Sequence, residues 1–205
     1  MGTWITWSEV MVPNTWALWG AGQHEAEAEV APARLADTPQ GQDFVRRAIL
    51  GSEAKFEGVG TRVAMLVWVP DRTTGAVQAI GACWRIGWPP DTRPTRDEYL
   101  ADAKKLDPSP GTIIDASSFT TLEVDAGPAA VEALVTRATT RRRLGGLLPA
   151  ADTTLGQIRL TIFPEGCDEV FRIEALVDDL SLARPASAQV GSIAKGVVLT
   201  LGERP

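Results

Sequence analysis

Two runs in the second half of the chain alternate between apolar and polar residues, and they constrain the fold more than any other feature. Ile158, Leu160 and Ile162 alternate with Gln157, Arg159 and Thr161. Beyond Pro164-Glu165-Gly166, Phe171, Ile173, Ala175 and Val177 alternate with Arg172, Glu174 and Asp178. A period of two with one apolar face is the pattern of a half-buried strand, and two such runs around a turn predict a hairpin over residues 155–180. An isolated hairpin is marginal in water, so its apolar face needs a cover. Val190, Ile193, Ala194, Val197, Val198 and Leu201 fall at the spacing of an amphipathic helix. That helix, entered at residues 185–187 and closed by Gly202, is expected to supply the cover.

Upstream, the same reading yields further elements. Trp16-Ala17-Leu18-Trp19 reads as a short strand, apolar on both faces and broken by Gly20-Ala21-Gly22. Residues 24–30 alternate strictly; as a strand they would set Glu25, Glu27 and Glu29 on one side and His24, Ala26, Ala28 and Val30 on the other. Asp37-Thr38-Pro39 signals a helix start, with Phe44, Val45, Ala48, Ile49 and Phe56 on one face. Residues 63–69 are apolar on both faces, as in a strand covered on both sides. A turn at 70–75 sends the chain back through Ile80, Ala82, Trp84, Ile86 and Trp88. Thr95-Arg96-Asp97-Glu98 spells a capping box for a helix whose stripe is Tyr99, Leu100, Ala103 and Leu106. Strands are expected over 119–124 and 129–138, around Asp125-Ala126-Gly127-Pro128. No linker or repeat divides the chain, so residues 1–205 are expected to form a single α+β domain. It would hold an antiparallel sheet of about six to eight strands with three main helices, at least one on each face.

Composition excludes several functions. A net charge of −6 leaves no concentrated basic footprint for nucleic acid. No apolar run approaches the roughly 18 residues of a membrane span, and the first residues do not form a signal peptide. Two cysteines, Cys83 and Cys167, are far from a disulfide framework, so free thiols and a cytoplasmic location are expected. Cys83 is expected in a buried strand, with Cys167 more exposed at the hairpin turn. Only four of the 20 basic residues are lysines, which fits a GC-rich bacterial genome. All seven tryptophans precede residue 89. Each can bury about 150–250 Å², and a tryptophan-heavy core is the expectation over an aromatic binding surface.

The order of elements resembles the PsbP-like fold, and the run Leu122-Glu123-Val124-Asp125-Ala126-Gly127-Pro128-Ala129-Ala130-Val131 is similar to a strand–turn–strand of actinobacterial members. The resemblance implies an N-terminal hairpin, a helix, a central hairpin, a second helix, further strands and a packed C-terminal helix. It also implies a binding or adaptor role. It carries over no catalytic residue.

The search for chemistry returns little. One histidine, His24, rules out any site needing two imidazoles. No nucleophile elbow, P-loop or dinucleotide fingerprint occurs. The carboxylates Asp178-Asp179, Glu165 and Asp168-Glu169 read as solvated strand-end and turn groups, and the three glutamates of residues 25–29 as a solvated edge rather than a metal site. No cofactor or metal is expected. Arg137 and Arg141-Arg142-Arg143 form the basic cluster, and Leu144, Leu147 and Leu148 follow it among glycines. Arginine beside large apolar side chains is a mixture that interfaces favour. Arg141, Arg142, Arg143, Leu144, Leu147 and Leu148 are therefore the expected partner-binding residues of a non-catalytic binding or adaptor protein, acting on a protein partner or a second copy. The alternative is a small-molecule-binding protein or enzyme with a pocket between sheet and helix.

Overall fold

A computed structural model describes residues 2–56, 60–89, 92–105, 112–140 and 151–203. Its elements, in chain order, are β1 (Thr3–Val10), β2 (Trp16–Gly20), α1 (His24–Leu35), α2 (Pro39–Ser52), β3 (Thr61–Trp68), β4 (Ala79–Gly87) and α3 (Arg96–Ala103), then β5 (Thr112–Val124), β6 (Gly127–Thr140), β7 (Ala151–Ile162), β8 (Glu169–Val177), α4 (Ala183–Lys195) and β9 (Val197–Glu203). Seven strands form one antiparallel sheet in the order β2-β3-β4-β8-β7-β6-β5, and β1 pairs with β9 in a separate ribbon. The class is α+β, as the hairpin and its cover require.

The hairpin stands at the centre. Ile158, Leu160 and Ile162 of β7 and Phe171, Ile173, Ala175 and Val177 of β8 are buried on one face. Ala186, Val190, Ile193 and Ala194 of α4 cover them, joined by Ile5 and Val197 of the β1–β9 ribbon. On the opposite face Met65, Val67, Ala82 and Trp84 pack under α1 and α2, with Leu100 of α3 further along. Each face of the sheet therefore has its own apolar layer. Trp16, Trp19, Trp68 and Trp84 are buried, and Trp16 stacks on Trp68 at 5.9 Å. Trp4 and Trp88 are half-buried, and Trp7 is 52% exposed on the ribbon.

Local signals acted as expected at two helix starts. Thr38 Oγ1 accepts the Gly41 N–H at 3.1 Å, and both bonds of the Thr95–Glu98 capping box are formed.

Three expectations are overturned by packing. Residues 24–30 are helical, the first part of α1, and not a strand. Alanine and glutamate are strong helix formers, and the side chains α1 buries are Ala28, Ala31, Pro32 and Leu35, an i, i+3, i+4, i+7 stripe beneath the visible alternation. The glutamate row is thereby dispersed around the helix, with Glu27 held by Arg34 at 3.2 Å. Second, the closing helix ends at Lys195. Gly196 terminates it, and the β-branched run that follows pairs as β9 with β1. Val198 and Leu201 are accordingly exposed, at 50% and 37%. Third, no N-terminal hairpin forms, because β1 pairs with β9 while β2 pairs with β3.

Smaller corrections concern single side chains. Phe44 is on the outer side of α2, 41% exposed under the Arg47 guanidinium. Cys83 is buried as expected, but Cys167 is buried too, its Sγ accepting the Glu169 N–H at 3.4 Å. Glu169 is not solvated: it is buried and accepts the Ile5 N–H at 2.8 Å, while Arg85 donates to the Ile5 carbonyl at 2.5 Å. This pair clamps the ribbon onto the end of the sheet, at the bulge between Ile5 and Trp7.

Candidate functional site

The polar side of the central hairpin faces α3 and carries a set of interacting polar groups. Strand alternation aligns Glu132 and Leu134 of β6, Gln157, Arg159 and Thr161 of β7, and Arg172, Glu174 and Leu176 of β8 on one surface. Register makes neighbours of them: Glu132 opposes Arg159, Arg159 opposes Glu174, and Thr161 opposes Arg172. The capping box starts α3 so that Tyr99, in its first turn, reaches down onto this surface.

Two networks result. The Tyr99 hydroxyl donates to Glu132 Oε1 at 2.5 Å and accepts from Arg172 Nη2 at 3.1 Å. Arg172 Nε donates in turn to Thr161 Oγ1 at 3.2 Å, and the guanidinium lies 5.9 Å from the Tyr99 ring centroid. Phe163 closes against the edge of that ring at 5.4 Å. Burial raises the Tyr99 phenol above its ordinary pKa; Arg172 opposes the rise and the Glu132 carboxylate adds to it. Tyr99 is therefore a neutral donor across the physiological range. In the second network Arg159 Nε and Gln157 Nε2 both donate to Glu174 Oε1, the first at 3.2 Å. Cross-strand ties of this kind hold long side chains in one arrangement before anything binds.

The surface is recessed in two places. A depression of about 490 Å³ lies against α3, lined by Tyr99, Lys105, Ile114, Glu132, Leu134 and Arg159. A second, of about 270 Å³, lies at the edge of α2, where Arg47, Lys55, Ile80, Leu176 and Asp178 meet. One transverse row, Ile80–Leu176–Gln157–Leu134, connects them across β4, β8, β7 and β6. Arg159 bonds Glu174 through Nε, and among the described residues its two Nη groups have no hydrogen-bond partner. Chemically this is a shallow groove with a partly apolar floor, a phenol, and charges of both signs held in place.

Of the residues singled out from sequence for possible chemistry, Asp178 borders the smaller depression, and the other described ones lie away from the groove. Arg141, Arg142, Arg143, Leu144, Leu147 and Leu148 lie outside the described residues; the segment they occupy joins Thr140 to Ala151, which are cross-strand partners. Arg137 is engaged by Asp115 at 3.0 Å. His24 Nδ1 is 3.2 Å from Glu53 Oε1 at the start of α1. Asp179 caps a turn by accepting the Ser181 N–H at 2.9 Å. No group of three or more metal-ligating side chains occurs among the described residues.

Sequence reasoning missed Tyr99, Glu132, Arg159 and Arg172. Tyr99 reads as part of an apolar stripe, and the two arginines read as solvated strand faces. The available signal was the alternation of charge on the polar side of the hairpin, Arg159 against Glu174, where a merely solvated face has no need of opposed signs. Compared with protein-family models and with curated proteins, the chain matches none.

Proposed function

We propose that this chain is a non-catalytic binding or adaptor protein that takes an extended segment of a partner protein across the sheet face between α2 and α3. The row Ile80–Leu176–Gln157–Leu134 carries the reading, because it joins two depressions through a floor whose charged borders are already ordered. Three strand spacings of about 4.8 Å make that row about 14 Å long, the reach of about four extended residues. Tyr99 and Arg159 at its α3 end are of the types that carry energy in interfaces. The helix, central hairpin, helix and further strands between α2 and α4 support a PsbP-like relationship, and with it an adaptor role. We extend the proposal to Arg141, Arg142, Arg143, Leu144, Leu147 and Leu148 as a second contact, on their composition.

A photocrosslinking amino acid at position 134, in the full chain expressed in its source cells, tests the reading. A protein captured there and lost with Arg159→Glu, at unchanged melting temperature, supports it. Capture that survives Arg159→Glu but is lost with Arg142→Ala plus Leu147→Ser moves the contact to the β6–β7 segment. The second reading, a small-molecule site between sheet and α3, is favoured by the roughly 490 Å³ depression and the part-buried Tyr99–Glu132 pair. It would appear as a metabolite that co-purifies with the wild type and not with Tyr99→Phe.

A further inference from the structure

The two edges of the seven-stranded sheet are treated very differently. At one edge β2 has only five residues, most of them buried, and Arg34 Nη1 occupies the Trp16 carbonyl at 3.0 Å. Such an edge is short and covered, and it offers no template to another strand. At the other edge β5 runs for 13 residues and, among the described residues, pairs only with β6. Ala116, Ser117, Ser118, Thr120 and Thr121 are exposed, and between them Phe119 is partly buried against the core. Proteins normally guard a long edge with lysine, proline or inward-pointing charge. Residues 116–122 have none of these, and β5 contains no basic residue or proline. Its two acids are neutralised from within: Asp115 by Arg137 at 3.0 Å and Glu123 by Arg96 at 2.5 Å. One irregularity, between Ile114 and Ala116, leaves the stretch beyond it straight in register with β6.

We propose that β5 is a homodimer interface, on which the β5 of a second copy pairs antiparallel and joins two seven-stranded sheets into one. This surface is independent of the groove between α2 and α3, and the proposal does not rest on that reading. The sequence of the edge is suited to its own two-fold image. A two-fold centred on Phe119 sets Ser117 opposite the partner's Thr121 and Ser118 opposite the partner's Thr120. Cross-strand Ser/Thr pairs are favourable, and no like charge faces another along residues 116–122. At the ends, Asp115 would meet the partner's Glu123 with each carboxylate already holding its own arginine. The short β2 edge explains why such pairing would stop at two copies: an isologous contact through β5 closes, and among the described residues the sheet offers no second long edge.

Sedimentation velocity of the purified full chain, from about 1 to 200 µM, tests this. The wild type should sediment as a dimer over the upper part of that range. Ser118→Lys with Thr120→Lys places like charges opposite one another and should weaken association at least about tenfold, with an unchanged melting temperature. Ser118→Asp with Thr120→Asp should do the same alone, and an equimolar mixture of the two variants should dimerise again. A wild type that remains monomeric at the highest concentration overturns the proposal. So does a dimer that the lysine variant leaves intact, because another face would then hold it. If the lysine variant does not fold, a dimer that the aspartate variant leaves intact overturns the proposal equally.

Discussion

Ile193 and Leu201 belong to one helical period in the sequence but to different elements in the structure, and truncating each to alanine separates the two descriptions. Ile193 is fully buried in α4 against the central hairpin. Alanine removes three carbons; at about 0.8 kcal/mol for each, the lost transfer energy is about 2.4 kcal/mol. The hole cannot close completely between a helix and a sheet, and the residual cavity brings the total to about 3–4 kcal/mol. Leu201 lies on β9, 37% exposed. It loses the same number of carbons, but they are partly in water already and the ribbon can settle around the gap, so about 1 kcal/mol is expected. Urea unfolding measures both, with a common slope required for the comparison. In a chain of this size the changes correspond to about 10 °C in Tm for Ile193→Ala and a few degrees for Leu201→Ala. A third variant sharpens the contrast: Leu201→Thr should be no worse than Leu201→Ala, because threonine suits a half-exposed strand and not a helix. Equal losses at 193 and 201, or a threonine variant clearly worse than the alanine one, would refute the placement of β9.

Other expectations follow from the same packing. Glu53 accepts the Gly22 N–H at 2.8 Å, and that bond, with His24 and Arg62 adding and burial opposing, lowers its pKa from the ordinary 4.5. A lowered folded-state pKa contributes stability above the unfolded value and loses it as pH falls through the folded one. The stability gap between wild type and Glu53→Gln should therefore be flat near neutrality and shrink in acid; a gap that widens on acidification contradicts it. Burial pushes the Cys83 thiol up to about 12 and also raises Cys167, so neither should react with a thiol reagent at pH 8 until the chain is unfolded, when both should. Fast labelling of either thiol in the folded protein, or of neither in denaturant, would be inconsistent with two buried free thiols. Gly75 has φ +64, and a Cβ there would lie 2.4 Å from the Gly41 Cα of α2, whereas Gly166, at φ +65, has open space around it. Gly166→Ala should cost about 1 kcal/mol of backbone strain, and Gly75→Ala clearly more; similar melting temperatures for the two would show that α2 does not pack against residues 74–75.

The sequence alone determined the parts of this protein in which local pattern and final environment agree. The period-two runs of β7 and β8 each have one buried face, so alternation and burial report the same thing. The Thr38 and Thr95 helix starts depend on bonds made within three residues, and neighbouring side chains suffice to specify them. Residues 63–69 are apolar throughout, and a strand covered on both sides is what they became as β3. Tertiary structure decided the rest. Residues 24–30 alternate in composition, yet α1 is helical because Ala28, Ala31, Pro32 and Leu35 meet α2 and the sheet along one stripe, and that burial outweighs a surface pattern of Glu and Ala. Val197 and Leu201 satisfy a helical period and a strand period at once; β1, nearly the whole chain away, offers unpaired backbone groups that only a strand can meet. The groove is non-local for the same reason. Tyr99, Glu132, Arg159 and Arg172 come from four elements, and only strand register and the docking of α3 bring a phenol, a carboxylate and two guanidiniums together.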